Sequence, residues 1–391
     1  MLRPGVELED GCRYPWPAVS AARRVSLPED RGMARLVINL EAIRHNAQLV
    51  LELCSSRGLR LTAVTKGVLG DPVIVRQLIQ AGVDTLGDSR LRNIMRMRAA
   101  GIRAEFHLLR APSPQEIPEV LSLADVSYHS EVEVVRLLAR AAESRGSTHR
   151  VVLMVEVGDR REGLMPTEVL AAADAVMKMK GVQLYGLGMN VGCISGVLPS
   201  PANMGLVAEL AREIEAQLGQ RLELVSGGGS LVIPLLLEGK VPAGITHLRM
   251  GTAIWLGDYN TWDHPVPGAR HDAFELVAPV IELKWKPSLP EGEVGLDAFG
   301  RRPAFEDRGP MLRAICALGR QDVYVEGIQP RLSGLRVVAA SSDHLILDAT
   351  AARCPVRVGQ EIPFRVNYAA LLFAMQSCCV VKEYVDAGGA G

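Results

Sequence analysis

The chain lacks a strong net charge, and its cysteines show no pairing pattern. Its formal net charge is -1 over 391 residues, which supplies neither a basic surface for nucleic acid nor an acidic disordered tail. The seven cysteines are an odd number without C-x-x-C spacing, so the sequence predicts neither a disulfide framework nor a zinc site. We therefore expect small molecules or further copies of the chain as partners, no metal, and a reducing, cytoplasmic compartment.

Long apolar runs are also missing. No run reaches the length that spans a membrane, so we expect no membrane partner. The opening residues, MLRPGVELEDGCRYPWPAVS, hold acidic residues and prolines where a secretion signal needs an unbroken apolar segment. We interpret residues 1–33 as an N-terminal arm or extension.

A repeating pattern occupies residues 34–265, in which a β-prone run, a polar or glycine junction and a stretch of helical spacing recur. An extra strand and helix at 35–58 precede the first repeat. Eight parallel strands with helical crossovers favour a (β/α)8 TIM barrel, with an open doubly wound sheet as the alternative. The eight β-prone runs are 61–66, 83–88, 104–109, 125–129, 151–157, 182–189, 222–228 and 246–251.

The pattern changes past residue 265. Short β-like runs follow one another, separated by Gly, Pro and Asp, and helical spacing returns only in AALLFAMQS. We therefore expect residues 266–391 to form a smaller, mostly β C-terminal domain.

Lys66 lies where the first of the eight runs stops, in RLTAVTKGVLGDP. The carboxyl ends of barrel strands form the active-site rim, so polar residues at these ends become candidates together. A lysine beside a strand is more often simply solvated. A lysine amine at such a rim can also form a Schiff base with an aldehyde, and pyridoxal 5'-phosphate is the obvious one.

That cofactor needs a phosphate site, for which LVSGGGSLVIPLLLEG offers a strand, a glycine loop and a helix start. Backbone N–H groups can approach a phosphate there, although such turns also join strands to helices without any ligand. Gly251 and Thr252 offer a second pair of amides after the eighth run. Arg249 is either a surface charge or faces inward, where its cation would keep the pyridine nitrogen unprotonated.

Six segments in this order resemble the fold-type III pyridoxal-phosphate enzymes, the alanine racemase superfamily: LVINLEAIRHNAQLV, AVTKG, VEVGDRREGLMP, GLGMNVGC, VSGGGS and LRMGTAIWLG. Within it, TKGVLGDP, GRQDV and ASSDHLILD are most similar to the ornithine racemase branch. The resemblance spans roughly residues 34–385. It implies a racemase for a basic amino acid such as ornithine, and a homodimer in which the β domain of one chain completes the site of the other.

The resemblance also implies roles for individual residues. Lys66 is expected to attach the cofactor, and Arg249 to contact the pyridine nitrogen. Arg161 corresponds to an arginine near the cofactor phenolate and the substrate carboxylate. Asn190 falls where alanine racemases place a histidine against the cofactor ring. The remaining expected cofactor-binding residues are Ser226, Gly229, Ser230, Gly251 and Thr252.

Two departures from the alanine racemase pattern concern tyrosines. The segment after Lys66, GVLGD, has no phosphate-binding tyrosine, so backbone amides must contribute more. The segment GRQD has Arg320 where the family has the tyrosine that acts as the opposite-face base, and an arginine that stays protonated is a poor base. The candidates for that role are Asp343 and His344 first, then Tyr324 and Cys316, although an Asp-His pair is often a turn and the other two are often core residues.

Two other functions stay open at this point. A fold-type III amino acid decarboxylase would use the same lysine and barrel, but an expected H-x-G-S segment is missing. A non-catalytic pyridoxal-phosphate-binding protein is the second alternative, although its known members are single barrels. For a basic substrate, the candidate receptors of the distal amine are Asp88, Asp258 and Asp297.

Overall fold

The structure is a computed structural model that describes residues 32–260, 262 and 264–386. The chain divides into two compact units. The barrel unit runs from Ala42 to His271, and the β unit joins the described residues before Ala42 to those from Asp272 onward. The expected arm, residues 1–33, lies almost entirely outside the described residues. The first described strand, β1 (Arg35–Asn39), belongs to the β unit.

A closed barrel of eight parallel strands forms the core of the barrel unit. Neighbouring strands pair in chain order, and the register of Leu61 with Leu248 joins the last strand to the first. The prediction of a (β/α)8 barrel is confirmed, and the open doubly wound alternative is wrong because the sheet has no edges. The strands are β2 (Arg60–Val64), β3 (Thr85–Asp88), β4 (Glu105–Leu108), β5 (Val126–His129), β6 (His149–Val155), β7 (Val182–Met189), β8 (Leu224–Ser226) and β9 (His247–Met250).

Helices connect the barrel strands, and local sequence determines several of their ends. The Asp71 side chain accepts hydrogen bonds from two backbone N–H groups of the first turn that it caps, and Pro72 occupies the first helical position, where no N–H is needed. Ser200 caps a later helix, which ends at Gly219 in the left-handed conformation. The helices are α1 (Leu40–Ser55), α2 (Pro72–Gln80), α3 (Leu91–Ala99), α4 (Ile117–Leu123), α5 (Val132–Ser144), α6 (Val169–Met177), α7 (Pro201–Leu218), α8 (Ile233–Leu237) and α9 (Thr252–Leu256).

The β unit is built on a largely antiparallel sheet, as expected for the C-terminal region. Its elements are β10 (Phe274–Pro287), β11 (Pro310–Cys316), β12 (Ile328–Pro330), β13 (Arg336–Ala340), β14 (Leu345–Asp348), β15 (Glu361–Val366), α10 (Tyr368–Gln376) and β16 (Val381–Val385). The extra strand β1 joins this sheet, antiparallel to β10 and parallel to β16. The β unit therefore takes in a segment that the sequence analysis grouped with residues 34–265.

The reason for this placement is the burial of β1. Leu36 and Ile38 have no exposed surface, so the strand needs partners on both sides. Neighbouring Arg35 forms ion pairs within the same sheet, to Glu383 at 2.7 Å and to Glu361 at 2.6 Å. A strand–helix alternation in sequence cannot distinguish a barrel strand from one that pairs with strands more than 230 residues later.

None of the described helices is long and apolar enough to cross a membrane. Burial raises the pKa of the Cys54 and Cys316 thiols to about 12. Cys354 is disulfide-bonded, which the cysteine spacing did not predict. The exposed free thiols of the described chain are Cys193, Cys378 and Cys379.

Candidate active site

Lys66 lies two residues after the end of β2, at the carboxyl end of the barrel, and begins a 3₁₀ turn, Lys66–Val68. The turn ends at Leu69 and Gly70, whose φ angles are 55° and 58°. A left-handed leucine is uncommon, so the chain is held in a specific conformation here. Lys66 itself is partly buried. It therefore stands at the barrel rim, between a buried strand and the start of α2.

A buried hydrogen-bond network fixes the residue before Lys66. Oγ1 of Thr65 donates to Oδ2 of Asp88 at 2.7 Å. The other carboxylate oxygen of Asp88 accepts from the Arg90 backbone N–H at 2.9 Å and from the Asn93 amide at 3.0 Å. Burial raises the pKa of Asp88, against the lowering effect of these hydrogen bonds. The carboxylate thus ties the end of β2 to the end of β3.

The three candidate receptors for a distal amine are differently placed. Asp88 has no exposed surface, and both of its oxygens accept protein hydrogen bonds, so it is unsuited to bind a substrate. Asp258 is also buried, with Oδ1 3.6 Å from Nδ1 of His271. Asp297 lies in an exposed turn of the β unit, where Oδ1 accepts from the Arg301 backbone N–H at 2.8 Å.

Arg249 faces inward, and its side chain is buried inside the barrel. One terminal nitrogen donates to the hydroxyl of Ser226, and the other donates to the Met189 carbonyl at 2.6 Å. The guanidinium carbon lies 5.2 Å from the ring centroid of Tyr128. Among the described residues, no carboxylate forms a salt bridge with Arg249. Burial lowers its pKa, and its charge is balanced by hydrogen-bonded neutral groups.

The two expected phosphate loops are joined directly by the hydroxyl of Ser230. Its Oγ accepts hydrogen bonds from the backbone N–H of Gly251 at 3.3 Å and of Ala253 at 3.2 Å. The glycine loop after β8 and the loop after β9 therefore form one surface. Ser226, expected among the cofactor-binding residues, instead directs its hydroxyl to Arg249 and to His247.

The packing of these loops fits a phosphate cradle. A Cβ at Gly229 would lie 3.1 Å from the Arg249 carbonyl oxygen, and one at Gly251 would lie 3.3 Å from the Val64 carbonyl oxygen. Both positions therefore favour glycine, which lets the backbone come close to a ligand. Within the described chain, the backbone N–H groups of Gly229, Ser230 and Thr252 have no hydrogen-bond acceptor, so they can donate to a phosphate.

Asp159, which was not among the predicted site residues, connects two further rim loops. Its carboxylate accepts from the backbone N–H groups of Gly192 and Ser195, both at 3.2 Å, and from the Ser195 hydroxyl at 2.8 Å. Burial opposes ionisation, but these hydrogen bonds lower the pKa of Asp159. The loop that carries Asn190 is thereby held against the loop that carries Arg161. The sequence did offer a signal for Asp159, because this acidic residue lies two positions before the predicted Arg161 in GDRREG.

Asn190 and Arg161 have contacts within these loops. The Asn190 amide donates to Sγ of Cys193 at 3.0 Å, and Arg161 forms an ion pair with neighbouring Glu162. Asn190 directly follows β7, and Arg161 lies in the loop after β6, so both residues belong to the same end of the barrel as Lys66. Their roles toward a cofactor stay predictions.

Asp343 and His344 lie in the β unit, in an exposed turn between β13 and β14. Nδ1 of His344 is 2.9 Å from Oδ1 of Asp343, and this hydrogen bond lowers the pKa of the carboxyl group. The two residues therefore form an acid–base pair on the surface of their unit. Their catalytic role stays a prediction.

The turn that carries Arg320 pairs with the turn of Asp343. The Arg320 backbone N–H donates to the Ser341 carbonyl at 2.9 Å. A Cβ at Gly319 would lie 2.1 Å from the Ser342 carbonyl oxygen, so only glycine allows the two turns to come this close. Arg320, which occupies the position of the family's tyrosine, and the Asp343–His344 pair thus lie on one surface of the β unit.

The other two candidates for the opposite-face group have different surroundings. Tyr324 is exposed, with its ring centroid 6.0 Å from that of Phe373. Cys316 is fully buried, and burial raises the pKa of its thiol to about 12. A buried thiol of this kind is a poor proton shuttle near neutral pH.

Comparison with known proteins agrees with this fold. The model of the alanine racemase N-terminal domain matches residues 38–258. The chain belongs to the alanine racemase family. The lysine racemase of Thermotoga maritima is 39% identical over 350 residues, which cover 90% of this chain and 98% of that protein. The ornithine racemase of Acetoanaerobium sticklandii is 35% identical over 350 residues, which cover 89% of this chain and 99% of that protein.

Solved structures show the fold of this family member. Alanine racemase from Streptomyces lavendulae superimposes with a TM-score of 0.68 at 19% identity, covering 92% of this chain and 98% of that one. D-threonine aldolase from Filomicrobium marinum gives a TM-score of 0.68 at 17% identity, covering 88% and 91%. These two proteins are named as different enzymes but have equal TM-scores, so the structural similarity shows the fold alone. The resemblance to the alanine racemase superfamily is confirmed.

Proposed function

We propose that the protein is a pyridoxal 5'-phosphate-dependent amino acid racemase that interconverts the L and D forms of a basic amino acid. The observation that carries the proposal is the rim of the barrel, where Lys66, the buried cation of Arg249 and the glycine loop at Gly229 occupy the ends of three strands. Two relatives of nearly equal length, named lysine racemase and ornithine racemase, support the same activity and the basic substrate.

Several residues of the barrel unit would hold the cofactor. Lys66 would attach it covalently, and the amides of Gly229, Ser230 and Thr252 would bind its phosphate. Arg249 would face the pyridine nitrogen, and Asn190 and Arg161 would contact the ring and its phenolate. When bound, the cofactor supplies an electron-withdrawing group that makes the substrate Cα–H acidic.

The chain's own groups would move the proton. On one face, the Lys66 amine would remove or return the proton at Cα of the substrate. On the opposite face, the Asp343–His344 pair is the first candidate, because Arg320 occupies the position of the usual tyrosine and stays protonated. Arg249 would leave the ring nitrogen without a proton, which favours return of the Cα proton over other reactions.

We extend the proposal to the assembly and the compartment. In this family the β unit of one chain is expected to complete the site of a second copy, so the protein would act as a homodimer with shared sites. We also propose a reducing, cytoplasmic compartment: the exposed free thiols of Cys193, Cys378 and Cys379 favour it, whereas the disulfide bond of Cys354 counts against it. Gel filtration with light scattering measures the assembly, and a monomer with full activity would contradict the dimer.

The test of the activity compares three amino acids and two variants. The protein is incubated with pyridoxal phosphate and L-ornithine, L-lysine or L-alanine, and the D isomer and carbon dioxide are measured. We expect D-ornithine or D-lysine to accumulate faster than D-alanine. Carbon dioxide would indicate a decarboxylase, and cofactor binding without any product would indicate a binding protein.

Lys66→Ala is expected to abolish turnover and the visible absorbance of the lysine-bound cofactor. Lys178→Ala is the matched control, because Lys178 is an exposed lysine paired with Asp174 on α6. That variant should retain wild-type turnover and absorbance. An unchanged visible spectrum in Lys66→Ala would end the proposal.

A further inference from the structure

The inside of the barrel holds polar side chains at positions that branched apolar residues usually fill in this fold. Thr62, His107 and His247 are all 2% exposed or less, as is Ser226. Each buried polar group needs a hydrogen-bond partner. Their hydrogen bonds form two separate chains, one of which reaches Arg249 through Ser226 while the other ends at Tyr128, whose ring lies beside Arg249.

The first chain runs from Arg249 through Ser226 to His247 and ends at Thr62. Arg249 donates to the Ser226 hydroxyl, whose oxygen lies 2.9 Å from Nδ1 of His247. Nε2 of His247 lies 2.7 Å from Oγ1 of Thr62. Because Ser226 already accepts from an arginine, its own proton is free to be donated to Nδ1, which leaves Nε2–H to donate to Thr62.

A second chain begins beside Arg249 at Tyr128, runs through His107 and ends at Glu105. The guanidinium carbon of Arg249 lies 5.2 Å from the Tyr128 ring centroid, and the Tyr128 hydroxyl lies 3.3 Å from Nδ1 of His107. Nε2 of His107 lies 2.7 Å from Oε1 of Glu105. The hydrogen bond from His107 lowers the pKa of Glu105 to about 2, so Nε2 carries the proton and Nδ1 accepts from Tyr128.

The two chains have the same order of groups and the same direction. In each, a hydroxyl donates to an imidazole Nδ1, and the imidazole donates onward from Nε2. Arg249 donates directly to the Ser226 hydroxyl of the first chain and contacts the Tyr128 ring of the second. Burial lowers the pKa of both His107 and His247, which keeps the imidazoles neutral and able to accept. The two rings are close together, with centroids 6.1 Å apart.

Space for the guanidinium also depends on a glycine. A Cβ at Gly188 would lie 3.4 Å from Nη1 of Arg249 and 3.0 Å from Sδ of Met154. A side chain at this position would therefore press on the guanidinium or its neighbour. Arg249 is thus held by hydrogen bonds to the Ser226 hydroxyl and the Met189 carbonyl, and it lies beside the Tyr128 ring and the bare backbone of Gly188.

We propose that Ser226 with His247, and Tyr128 with His107, are positioning residues that fix the Arg249 guanidinium for contact with the pyridine nitrogen of the cofactor. This inference rests on the proposed function. The hydrogen bond to Ser226 and the ring of Tyr128 hold the buried cation in one orientation, and within the described part of the chain no carboxylate forms a salt bridge with it. A directly paired carboxylate would instead compete with the ring nitrogen for the N–H groups of Arg249.

The test uses Tyr128→Phe and Ser226→Ala, which each remove one hydroxyl from a chain. Tyr185→Phe is the control for the first variant, because Tyr185 belongs to the same buried cluster but its hydroxyl accepts from Arg60 at 3.2 Å. Ser127→Ala is the control for the second, since the buried Ser127 hydroxyl contacts His129 and His149. If Ser226→Ala does not fold, Thr62→Val replaces it.

The first readout is the dissociation constant of pyridoxal phosphate, measured by quenching of protein fluorescence. We expect it to rise about tenfold in Ser226→Ala, which loses a hydrogen bond to the Arg249 guanidinium. In Tyr128→Phe we expect a smaller rise, because the ring stays beside Arg249 but loses its hydrogen bond to His107. Each control should stay within about twofold of wild type, because neither loses a contact to Arg249. The kcat for the amino acid should fall in parallel, while its KM changes little. Equal dissociation constants in chain and control variants would overturn the proposal.

The second readout needs no cofactor. Nitrogen-15 NMR of the protein without pyridoxal phosphate should show His107 and His247 as neutral Nε2–H tautomers. An Nδ1–H tautomer at His247 would overturn the direction of the first chain and with it the proposal. The two readouts together separate the two hypotheses. If the wild-type protein bound no pyridoxal phosphate, the proposed function would fail, whatever tautomers the histidines adopt.

Discussion

The hydroxyl of Thr65 lies 2.7 Å from Oδ2 of Asp88, and Lys66 is the next residue in the chain. This hydrogen bond joins the ends of β2 and β3 inside a fully buried site. The turn that begins with Lys66 is therefore anchored from the residue before it. The same carboxylate anchors the start of α3 through Arg90 and Asn93, so one side chain supports two rim segments.

Asp88→Asn is expected to destabilise the protein and to slow cofactor attachment at Lys66. The amide keeps the shape of the carboxylate but turns one acceptor into a donor, which breaks either the hydrogen bond from Thr65 or those from Arg90 and Asn93 and costs about 1–3 kcal/mol. Urea denaturation measures the stability, and the rate of visible absorbance gain on mixing with pyridoxal phosphate measures the attachment.

Asp125→Asn is the control for this prediction. Asp125 also accepts a backbone hydrogen bond, from Phe106 at 2.8 Å, but its side chain is partly exposed and pairs with Arg98. We expect a smaller loss of stability and an unchanged attachment rate. Equal attachment rates in wild type and Asp88→Asn would show that the network does not position Lys66.

Gly251→Ala is expected to weaken pyridoxal phosphate binding. The new Cβ would lie 3.3 Å from both Cβ and the carbonyl oxygen of Val64, so the loop after β9 must shift by a few tenths of an ångström. Because the Gly251 N–H donates to Ser230, the shift disturbs both phosphate loops together. Fluorescence titration should show a dissociation constant at least about tenfold higher, equivalent to one lost hydrogen bond to a charged group.

The same substitution at Gly205 provides the control. Gly205 lies inside α7, and a Cβ there would meet no atom within 4 Å. Alanine should therefore raise the stability by about 0.5–1 kcal/mol through helix propensity and leave cofactor affinity unchanged. If both variants bound the cofactor like wild type, the loop after β9 would have no part in phosphate binding.

The barrel could be predicted from sequence because each of its strands is local and is followed by its own helix. The run that ends at Lys66 and the glycine loop before Ser230 stand at strand ends in the structure as in the sequence pattern. Strand β1 could be predicted as a strand but not assigned to the β unit, since its partners, β10 and β16, lie far away along the chain. Pairing partners of this kind leave no local signal.

The sequence pattern also could not predict the polar interior of the barrel. His107 and His247 stand in β-prone runs, where alternation predicts an inward or outward side chain but not a partner. Their hydrogen bonds depend on the barrel closing so that β9 lies beside β2. Asp159 was missed for a similar reason, because its partners are backbone groups about 35 residues later.

Buried histidines predict loss of stability in mild acid. Burial lowers the pKa of His129 to about 3 and of His149 to about 4, from an ordinary value of 6.5. His107 and His247 shift in the same direction. Between the two pKa values the unfolded chain binds protons that the folded chain does not. Stability is therefore lost as pH falls below 6.5, by about 1.4 kcal/mol per pH unit for each histidine.

Urea denaturation at several pH values between 7 and 5 measures this slope. Carboxylates contribute in a lower range: the pKa of Glu105 is lowered to about 2 by its hydrogen bond from His107, so its stabilising effect is present above about pH 4.5 and is lost below it. His149→Gln should reduce the change of unfolding free energy per pH unit by the contribution of one histidine. A stability that stayed constant from pH 7 to pH 5 would contradict the burial of these groups as neutral imidazoles.

The last prediction concerns the proton on the face opposite Lys66. Arg320 and the Asp343–His344 pair occupy adjoining turns, with the Arg320 backbone donating to the Ser341 carbonyl at 2.9 Å. The Arg320 side chain donates to Glu326 at 2.7 Å. It therefore forms an ion pair with a carboxylate of its own unit. The hydrogen bond between His344 and Asp343 is the acid–base feature of this surface.

If this pair handles the second proton, His344→Ala and Asp343→Asn should each slow racemisation by about 10²–10⁴-fold, the usual contribution of a general acid or base. Cofactor attachment at Lys66 should be unchanged, because it needs only the barrel unit. In deuterium oxide, one enantiomer should still exchange its Cα–H with retention, since Lys66 remains competent on its own face, while net inversion fails. Asp307→Asn, in an exposed loop of the same unit, should racemise normally. Normal racemisation by both pair variants would move the assignment to Tyr324, because the buried thiol of Cys316 has a pKa of about 12.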